Sequence, residues 1–162
     1  MTLQKSTKLG LRKQKASGNF KKILRGIKQA KQYSVSLSGI KTFAKDFAPT
    51  LKGGEIIALI GPLGAGKTTL AKHLGRALGI SRRITSPTFV LSQVFPTKLK
   101  TAPPKRTVYL HHLDLYRIRS VREARLLGLE EFWGKPDAIT VIEWADKIKP
   151  LLPKKTVTIT FQ

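Results

Sequence analysis

Residues 61–68, Gly-Pro-Leu-Gly-Ala-Gly-Lys-Thr, form the group in this chain best suited to chemistry on phosphate. They match the complete GxxxxGK[ST] phosphate-loop pattern. Glycine permits backbone torsions and close approaches that a Cβ would block, so successive N–H groups can turn toward a polyphosphate. In such a loop Lys67 reaches the β and γ phosphates, and the Thr68 hydroxyl is placed to hold Mg²⁺. The loop therefore predicts a nucleoside triphosphate site with a magnesium ion.

The residues on both sides of this loop supply the strand and the helix that such a loop requires. The run 55–60 before it is apolar and β-prone, as in a buried strand. After it, Leu70, Leu74 and Leu78 recur at helical spacing, which predicts a helix that starts at Lys67 or Thr68. The N-terminal end of a helix carries partial positive charge and free N–H groups, so it adds affinity for phosphate.

Hydrolysis also needs a carboxylate for the Mg²⁺ shell and a group that positions water. Glu143 follows the apolar run 138–142, and Asp114 follows the run 108–113. Ligands bind at the carboxyl ends of strands in open α/β sheets, so both acids are candidates. We expect Glu143 to be the metal-associated acid and Asp114 to order a switch segment or the attacking water. The alternative is that each carboxylate only binds backbone N–H groups or Arg117.

Other polar residues near these positions are ambiguous from the sequence. Thr85, Ser86 and Thr88 lie in a proline-containing loop, where they could sense a γ-phosphate or simply form a turn. Trp144 could stack on a base or fill the core, and core packing is the commoner use of tryptophan. His112 beside Asp114 receives no assignment, since a single histidine at a strand end is more often structural.

Strands that alternate with helices around a phosphate loop predict an α/β layered sheet, mixed and mainly parallel, flanked by helices. We expect the domain to occupy residues 33–162, with its first strand at 34–37 and a helix at about 39–48 capped by Ser38. Two further strands, 89–95 and 107–113, should be joined by a long exposed loop at 96–106. Ser120 and Glu123 have the spacing of a capping box that opens a helix. The predicted order continues with a strand at 138–144, a short helix at 146–151 and a strand at 156–161.

Residues 1–32 carry 10 basic and no acidic side chains, within a chain whose net charge is +22. Such a charge attracts phosphate backbones, so nucleic acid is a candidate partner of this basic arm, and a generally basic proteome is the alternative. Residues 19–31 have the pattern of a basic amphipathic helix, which could lie on RNA, on an acidic partner or on a membrane surface. The 96–106 loop is a second candidate RNA contact. Organellar import is a minor alternative for the arm, because lysine outnumbers arginine and serine is scarce.

The composition excludes several classes of protein. The chain of 162 residues contains no cysteine, which excludes disulfides, thiolate zinc sites and cysteine nucleophiles. No apolar run approaches the ~20 residues that span a bilayer, so we expect a soluble chain with no membrane span. The absence of cysteine fits a reducing compartment, and we expect a cytoplasmic location.

Taken together, the motifs resemble those of the TsaE family of tRNA threonylcarbamoyladenosine biosynthesis ATPases. The resemblance covers residues 33–161 and rests on the phosphate loop, Thr85-Ser-Pro-Thr-Phe89, His112-Leu-Asp-Leu-Tyr-Arg117, Gly128-Leu-Glu-Glu-Phe132 and Ile142-Glu-Trp144, in that order.

This resemblance implies a bacterial Mg²⁺-ATPase that acts with the TsaD and TsaB subunits in t6A modification of tRNA next to the anticodon. Its ATP turnover would reset the complex between cycles. Thr68 and Glu143 would then hold the metal, and Lys67, Asp114 and Glu143 would be catalytic. The nucleotide-binding residues that it implies are Gly64, Ala65, Gly66, Lys67, Thr68, Thr69, Thr85 and Trp144. The chain departs from the family pattern at Pro62, where an acid is usual, and at 145–146, where Ala-Asp replaces Pro-Glu.

Two other functions remain open from the sequence. One is a small phosphate-loop kinase of a nucleoside or metabolite, although no arginine-rich lid is evident outside 117–125. The other is an RNA-binding module in which the nucleotide only locks a conformation.

Overall fold

The computed structural model describes residues 32–35, 37–85, 91–101 and 105–161. Its centre is a six-stranded sheet with the spatial order β1-β6-β2-β5-β4-β3. The strands are β1 (Gln32–Val35), β2 (Ile56–Ile60), β3 (Ser92–Lys100), β4 (Thr107–Asp114), β5 (Ala138–Glu143) and β6 (Val157–Phe161). All neighbours pair in parallel except β3, which is antiparallel to β4. This arrangement confirms the predicted mixed, mainly parallel sheet.

In the described ranges, three α-helices and four short 3-10 segments flank the sheet. The α-helices are α1 (Ile40–Phe47), α2 (Lys67–Ala77) and α3 (Val121–Leu126). The 3-10 segments are Leu37–Gly39, Ala48–Thr50, Leu129–Phe132 and Ala145–Leu151. None of the helices in the described ranges is both long enough and apolar enough to cross a membrane.

The two faces of the sheet pack against different elements. In β2, Ile57 and Leu59 contact the cluster that includes α1 and α2, whereas Ile56 and Ala58 contact the cluster that includes α3 and segment 145–151. This alternation follows from the two-residue period of a strand. Strand β5, between β2 and β4, is buried along its whole length, as expected for a central parallel strand covered on both faces.

The loop predicted at 96–106 is shorter than expected, and this prediction was wrong. Strand β3 continues through Pro96 to Lys100, with a register shift between those two residues. Because β3 is an edge strand, the missing N–H of proline removes no ladder bond that the sheet needs there. The Thr97 hydroxyl donates to the carbonyl oxygen of Val108 at 2.7 Å, which helps to hold this irregular stretch.

Other boundaries also differ from the prediction. Strand β1 occupies 32–35 rather than 34–37, and Leu37 begins a 3-10 turn. Gly39, not Ser38, is the N-cap of α1, since that turn already contains Ser38. The capping box is confirmed in one half: the Ser120 hydroxyl accepts from the Glu123 N–H, while the Glu123 carboxylate accepts from Arg119 N–H. The predicted amphipathic helix at 19–31 lies outside the described residues.

Candidate active site

The phosphate loop connects β2 to α2 and is supported from behind by β6. Gly61 follows the last residue of β2, and a Cβ at this position would lie 2.9 Å from the Cβ of Phe161. No real Cβ contact is that short, so only glycine permits β6 to pack directly behind the loop.

The turn into α2 depends on Gly66, which has φ +102° and caps the helix. L-residues with a side chain rarely adopt this conformation, so a glycine is required where the loop becomes a helix. At Gly64 an added Cβ would meet no described atom within 4 Å, and Thr69, in the first turn of α2, is exposed. Ala65 is partly buried against the core beneath α2. The outer side of the loop is therefore open, while its base is packed.

Lys67 is buried, with 4% of its surface exposed, at the first position of α2. Its Nζ donates to the carbonyl oxygens of Gly61 and Pro62, each at 2.7 Å. The same ammonium lies 3.8 Å from the centroid of the Trp144 ring, a cation–π contact. The lysine therefore donates hydrogen bonds to its own loop and lies over an aromatic face.

The charge of Lys67 is opposed by burial and supported by three acids. Burial lowers the pKa of Lys67 from its usual 10.5, and the carboxylates of Glu143, Asp146 and Asp114 act in the opposite direction. These acids come from the ends of β4 and β5 and from segment 145–151. The carboxyl ends of two neighbouring strands thus concentrate negative charge around one buried ammonium.

Thr68 and Glu143 are 75 positions apart in the sequence and meet directly. The Thr68 hydroxyl donates to Glu143 Oε2 at 2.8 Å. Glu143 is the last residue of β5 and is 2% exposed, and Thr68 lies in the first turn of α2. The two residues that the sequence assigned to a metal therefore lie side by side below the open loop.

The other oxygen of the Glu143 carboxylate binds a residue to which the sequence analysis gave no role. His112 Nε2 lies 2.8 Å from Glu143 Oε1, and the histidine side chain is fully buried. The signal was present in the strand pattern: His112 is two residues before Asp114, so it shares the face of β4 with Val108 and Leu110, which pack beneath α2. A histidine on that face, next to the end of β5, can reach the glutamate.

Asp114 ends β4 beside Glu143, its neighbour in the parallel register. Asp114 Oδ1 accepts from the N–H of Tyr116 at 3.0 Å, which fixes the turn that follows the strand. This contact is of the kind expected for a strand-end carboxylate, and it also places Asp114 where it can order the 115–117 segment.

Trp144 connects these features through an unusual backbone conformation. Its φ of +58° and ψ of +37° are left-handed, and it is the one non-glycine residue with positive φ in the described ranges. The half-buried ring packs against the second core cluster, lies over Lys67 Nζ and contacts Tyr116 at 5.2 Å between ring centroids. Lys147 donates to the Tyr116 carbonyl oxygen from the same side. The expected core role and the expected site role of Trp144 therefore occur together.

In the described part of the chain, Thr85 is not among the residues that make these contacts. Thr85 is exposed, directly after Ile84, which is buried against α2 near Gly75. Ser86 and Thr88 lie outside the described residues. A phosphate-sensing role for Thr85 stays a prediction.

The described residues fit a magnesium ion bound together with a nucleotide. They contain no cluster of three or more His, Cys, Asp or Glu side chains that could hold a metal alone. Magnesium in nucleotide sites usually takes one or two protein oxygens and completes its shell with phosphate oxygens and water. Thr68 and Glu143 offer such oxygens next to the start of α2.

A mainly parallel sheet, a glycine loop between a buried strand and a helix, and an acid at the end of the neighbouring strand define a P-loop NTPase-like α/β protein. Comparison with known families makes the assignment specific. The family described as threonylcarbamoyl adenosine biosynthesis protein TsaE matches residues 34–162. The chain belongs to the TsaE family.

Individual relatives agree with this assignment. A protein of Rickettsia bellii named tRNA threonylcarbamoyladenosine biosynthesis protein TsaE is 41% identical over 123 residues, covering 75% of this chain and 78% of the relative. A Bacillus subtilis protein of the same name is 33% identical over 136 residues, covering 84% and 79%. Among solved structures, Bacillus subtilis YdiB superposes with a TM-score of 0.54 at 29% identity, over 78% of this chain and 71% of YdiB.

Proposed function

We propose that this protein is a Mg²⁺-dependent ATP hydrolase that supports the t6A modification of tRNA next to the anticodon, acting with the TsaD and TsaB subunits. The observation that carries the hydrolase assignment is the 2.8 Å contact between Thr68 and Glu143, beside the buried ammonium of Lys67. The tRNA pathway follows from the names of the relatives, and the two subunits follow from the family resemblance.

In this proposal each residue of the site has a separate task. The loop amides from Gly64 to Thr69 bind phosphate oxygens, and Lys67 transfers its hydrogen bonds from the Gly61 and Pro62 carbonyls to the β and γ phosphates. Thr68 and Glu143 hold the magnesium ion. When bound, Mg²⁺ neutralises charge that develops on the phosphate oxygens.

Asp114 and Trp144 would act around the phosphates. Asp114 orders the turn at Tyr116 and supplies a carboxylate that can orient the attacking water. Trp144 lies over the Lys67 ammonium, so movement of Lys67 toward the phosphates would change the surroundings of the Trp144 ring. Turnover of ATP would then change the conformation of the segments that follow Asp114 and Glu143. In this proposal, that change is how hydrolysis resets a partner complex.

The first experiment measures ATP hydrolysis with Mg²⁺ for the full chain, alone and with TsaD and TsaB. Lys67→Ala and Glu143→Ala should each lower the rate by about 100-fold or more, since loss of one preorganised electrostatic group commonly has that effect. Lys67→Ala should also weaken nucleotide binding, whereas Glu143→Ala should mainly remove the dependence on Mg²⁺. The exposed residues Lys149 and Glu130 provide matched controls as alanine variants. An unchanged rate in Glu143→Ala would remove that residue from the site.

The second experiment tests the partners. Tagged full-length chain should co-purify with TsaD and TsaB, and the amount recovered should differ between ATP and nucleotide-free buffer. Recovery of neither subunit under both conditions would contradict the proposed assembly, while leaving the hydrolase assignment to the first experiment.

A further inference from the structure

His112 is a buried polar residue whose hydrogen bonding serves Glu143. The residue has no exposed surface, and Nε2 lies 2.8 Å from Glu143 Oε1. Its second ring nitrogen, Nδ1, is also buried and has no hydrogen-bond partner among the described residues. Most buried polar atoms are paired, and a buried nitrogen without a partner costs free energy of folding. A histidine is therefore unfavourable at a position whose role is only to fill the core. The glutamate contact is the feature that distinguishes this side chain from an apolar one.

The direction of this hydrogen bond follows from the chemistry of the two groups. An ionised carboxylate can only accept, so Nε2 carries the proton and donates. The Glu143 carboxylate then receives one donor on each oxygen, His112 on Oε1 and Thr68 on Oε2. Two donors from different elements, β4 and α2, determine the orientation of the carboxylate plane.

We propose that His112 is a positioning residue that holds Glu143 in the orientation needed to bind magnesium with the nucleotide. This inference rests on the function proposed above. A nucleotide-bound metal must compete for the carboxylate oxygen that now faces Thr68, and His112 leaves that oxygen available by occupying the other one. Without His112, Oε1 is buried without a partner and the carboxylate can rotate away from Thr68. Groups that orient a metal ligand in this way typically contribute about 10- to 100-fold in metal affinity.

The test uses three substitutions at one position. His112→Phe keeps a ring of similar size and removes the donor. His112→Gln places an amide nitrogen the same number of bonds from Cα as Nε2, so it can restore the donor. His112→Asn carries the same amide one methylene closer to the backbone and serves as the matched control that cannot reach Glu143.

The readout is the affinity for a non-hydrolysable β,γ-imido analogue of ATP, measured by calorimetry in the presence of Mg²⁺ and again in EDTA. The ratio of the two dissociation constants reports the contribution of the metal. We expect the ratio of the dissociation constant in EDTA to that in Mg²⁺ to fall by about 10- to 100-fold in the Phe and Asn variants, with unchanged affinity in EDTA. In the Gln variant the ratio should stay close to that of the parent. If His112→Phe does not fold, the comparison of Gln with Asn decides the same question.

The outcomes separate this inference from the proposed function. A parent chain that binds the analogue in a Mg²⁺-dependent way, with the same ratio in the Phe, Asn and Gln variants, overturns the role of His112 and leaves the hydrolase intact. A parent chain that does not bind the analogue overturns both. Equal losses in Gln and Asn also contradict the proposal, because they show that the donor at the Nε2 position is not what matters.

Discussion

The contact between Thr68 and Glu143 should stabilise the folded chain, and this expectation can be tested without any nucleotide. Thr68→Val keeps the shape of the side chain and replaces the hydroxyl with a methyl group, so it removes the donor that lies 2.8 Å from Glu143 Oε2. Glu143 is 2% exposed, and water cannot readily replace the lost partner. A hydrogen bond to a charged group contributes about 1.5–3 kcal/mol, and we expect the free energy of unfolding to fall by about that amount.

For a chain of 162 residues, each kcal/mol corresponds to a shift in Tm of about 2–4 °C. Thr68→Val should therefore lower Tm by about 3–12 °C, measured by circular dichroism in EDTA without nucleotide. Thr68→Ser is the matched control, since it keeps the hydroxyl and should stay closer to the parent. The effect of Thr68→Val should also shrink when Glu143→Gln has already removed the charge.

The same variants connect stability with activity. Thr68→Val should lose Mg²⁺-dependent hydrolysis, while Thr68→Ser should retain it. If Thr68→Val and Thr68→Ser unfold at the same temperature, the hydroxyl does not bind Glu143 in the free protein. The inference that Thr68 and Glu143, the two residues proposed to hold magnesium, are paired with each other would then be wrong.

Three further predictions concern Trp144, His111 and Gly75. In a Trp133→Phe background, the fluorescence emission of Trp144 should change with added ATP until it saturates, because Lys67 leaves the face of the ring. Constant emission while ATP is shown to bind would contradict this movement. Burial lowers the pKa of His111 from its usual 6.5, Lys135 lowers it further and Asp137 opposes them. The unfolded chain therefore takes up the proton first, and stability should fall as pH drops from about 6.5 toward the folded pKa, less so in His111→Gln, as measured by urea midpoints. A Cβ at Gly75 would lie 2.2 Å from Ile84 Cδ1, an atom that Ile84→Val removes. Gly75→Ala and Ile84→Val should therefore show a favourable coupling of about 0.5–3 kcal/mol in a double-mutant cycle of unfolding free energies. Additive effects would refute this clash.

The sequence was most informative where chemistry restricts the choice of residue. The phosphate loop has a fixed pattern of glycines with Lys67 and Thr68, and the helix begins at Lys67 as predicted. The apolar run before Glu143 predicted a buried strand, which the structure confirms as β5. Parallel pairing then brings the end of β5 beside β2 and the loop, a consequence of topology that the strand–helix alternation already indicated.

The sequence was least informative where pairing partners decide the structure. Proline and lysine in 96–100 read as a loop, but an edge strand tolerates both because one side of its backbone faces solvent. Ser38 is a favourable capping residue, yet a preceding 3-10 turn moves the cap to Gly39. His112 received no role because its partner is 31 positions away, and only the register of β4 and β5 brings the two together.

The left-handed backbone at Trp144 has a mechanical consequence for the site. Three successive side chains point to three surroundings: Glu143 to Thr68 and His112, Trp144 to Lys67, and Ala145 to the core of the opposite layer. The 145–151 segment directly follows both the carboxylate and the aromatic ring that lies over the ammonium. A macromolecule that shifts this segment would reorient both groups at once. Binding of that macromolecule to the 145–151 segment and binding of nucleotide would then be thermodynamically linked. Each ligand would change the affinity for the other by the same factor.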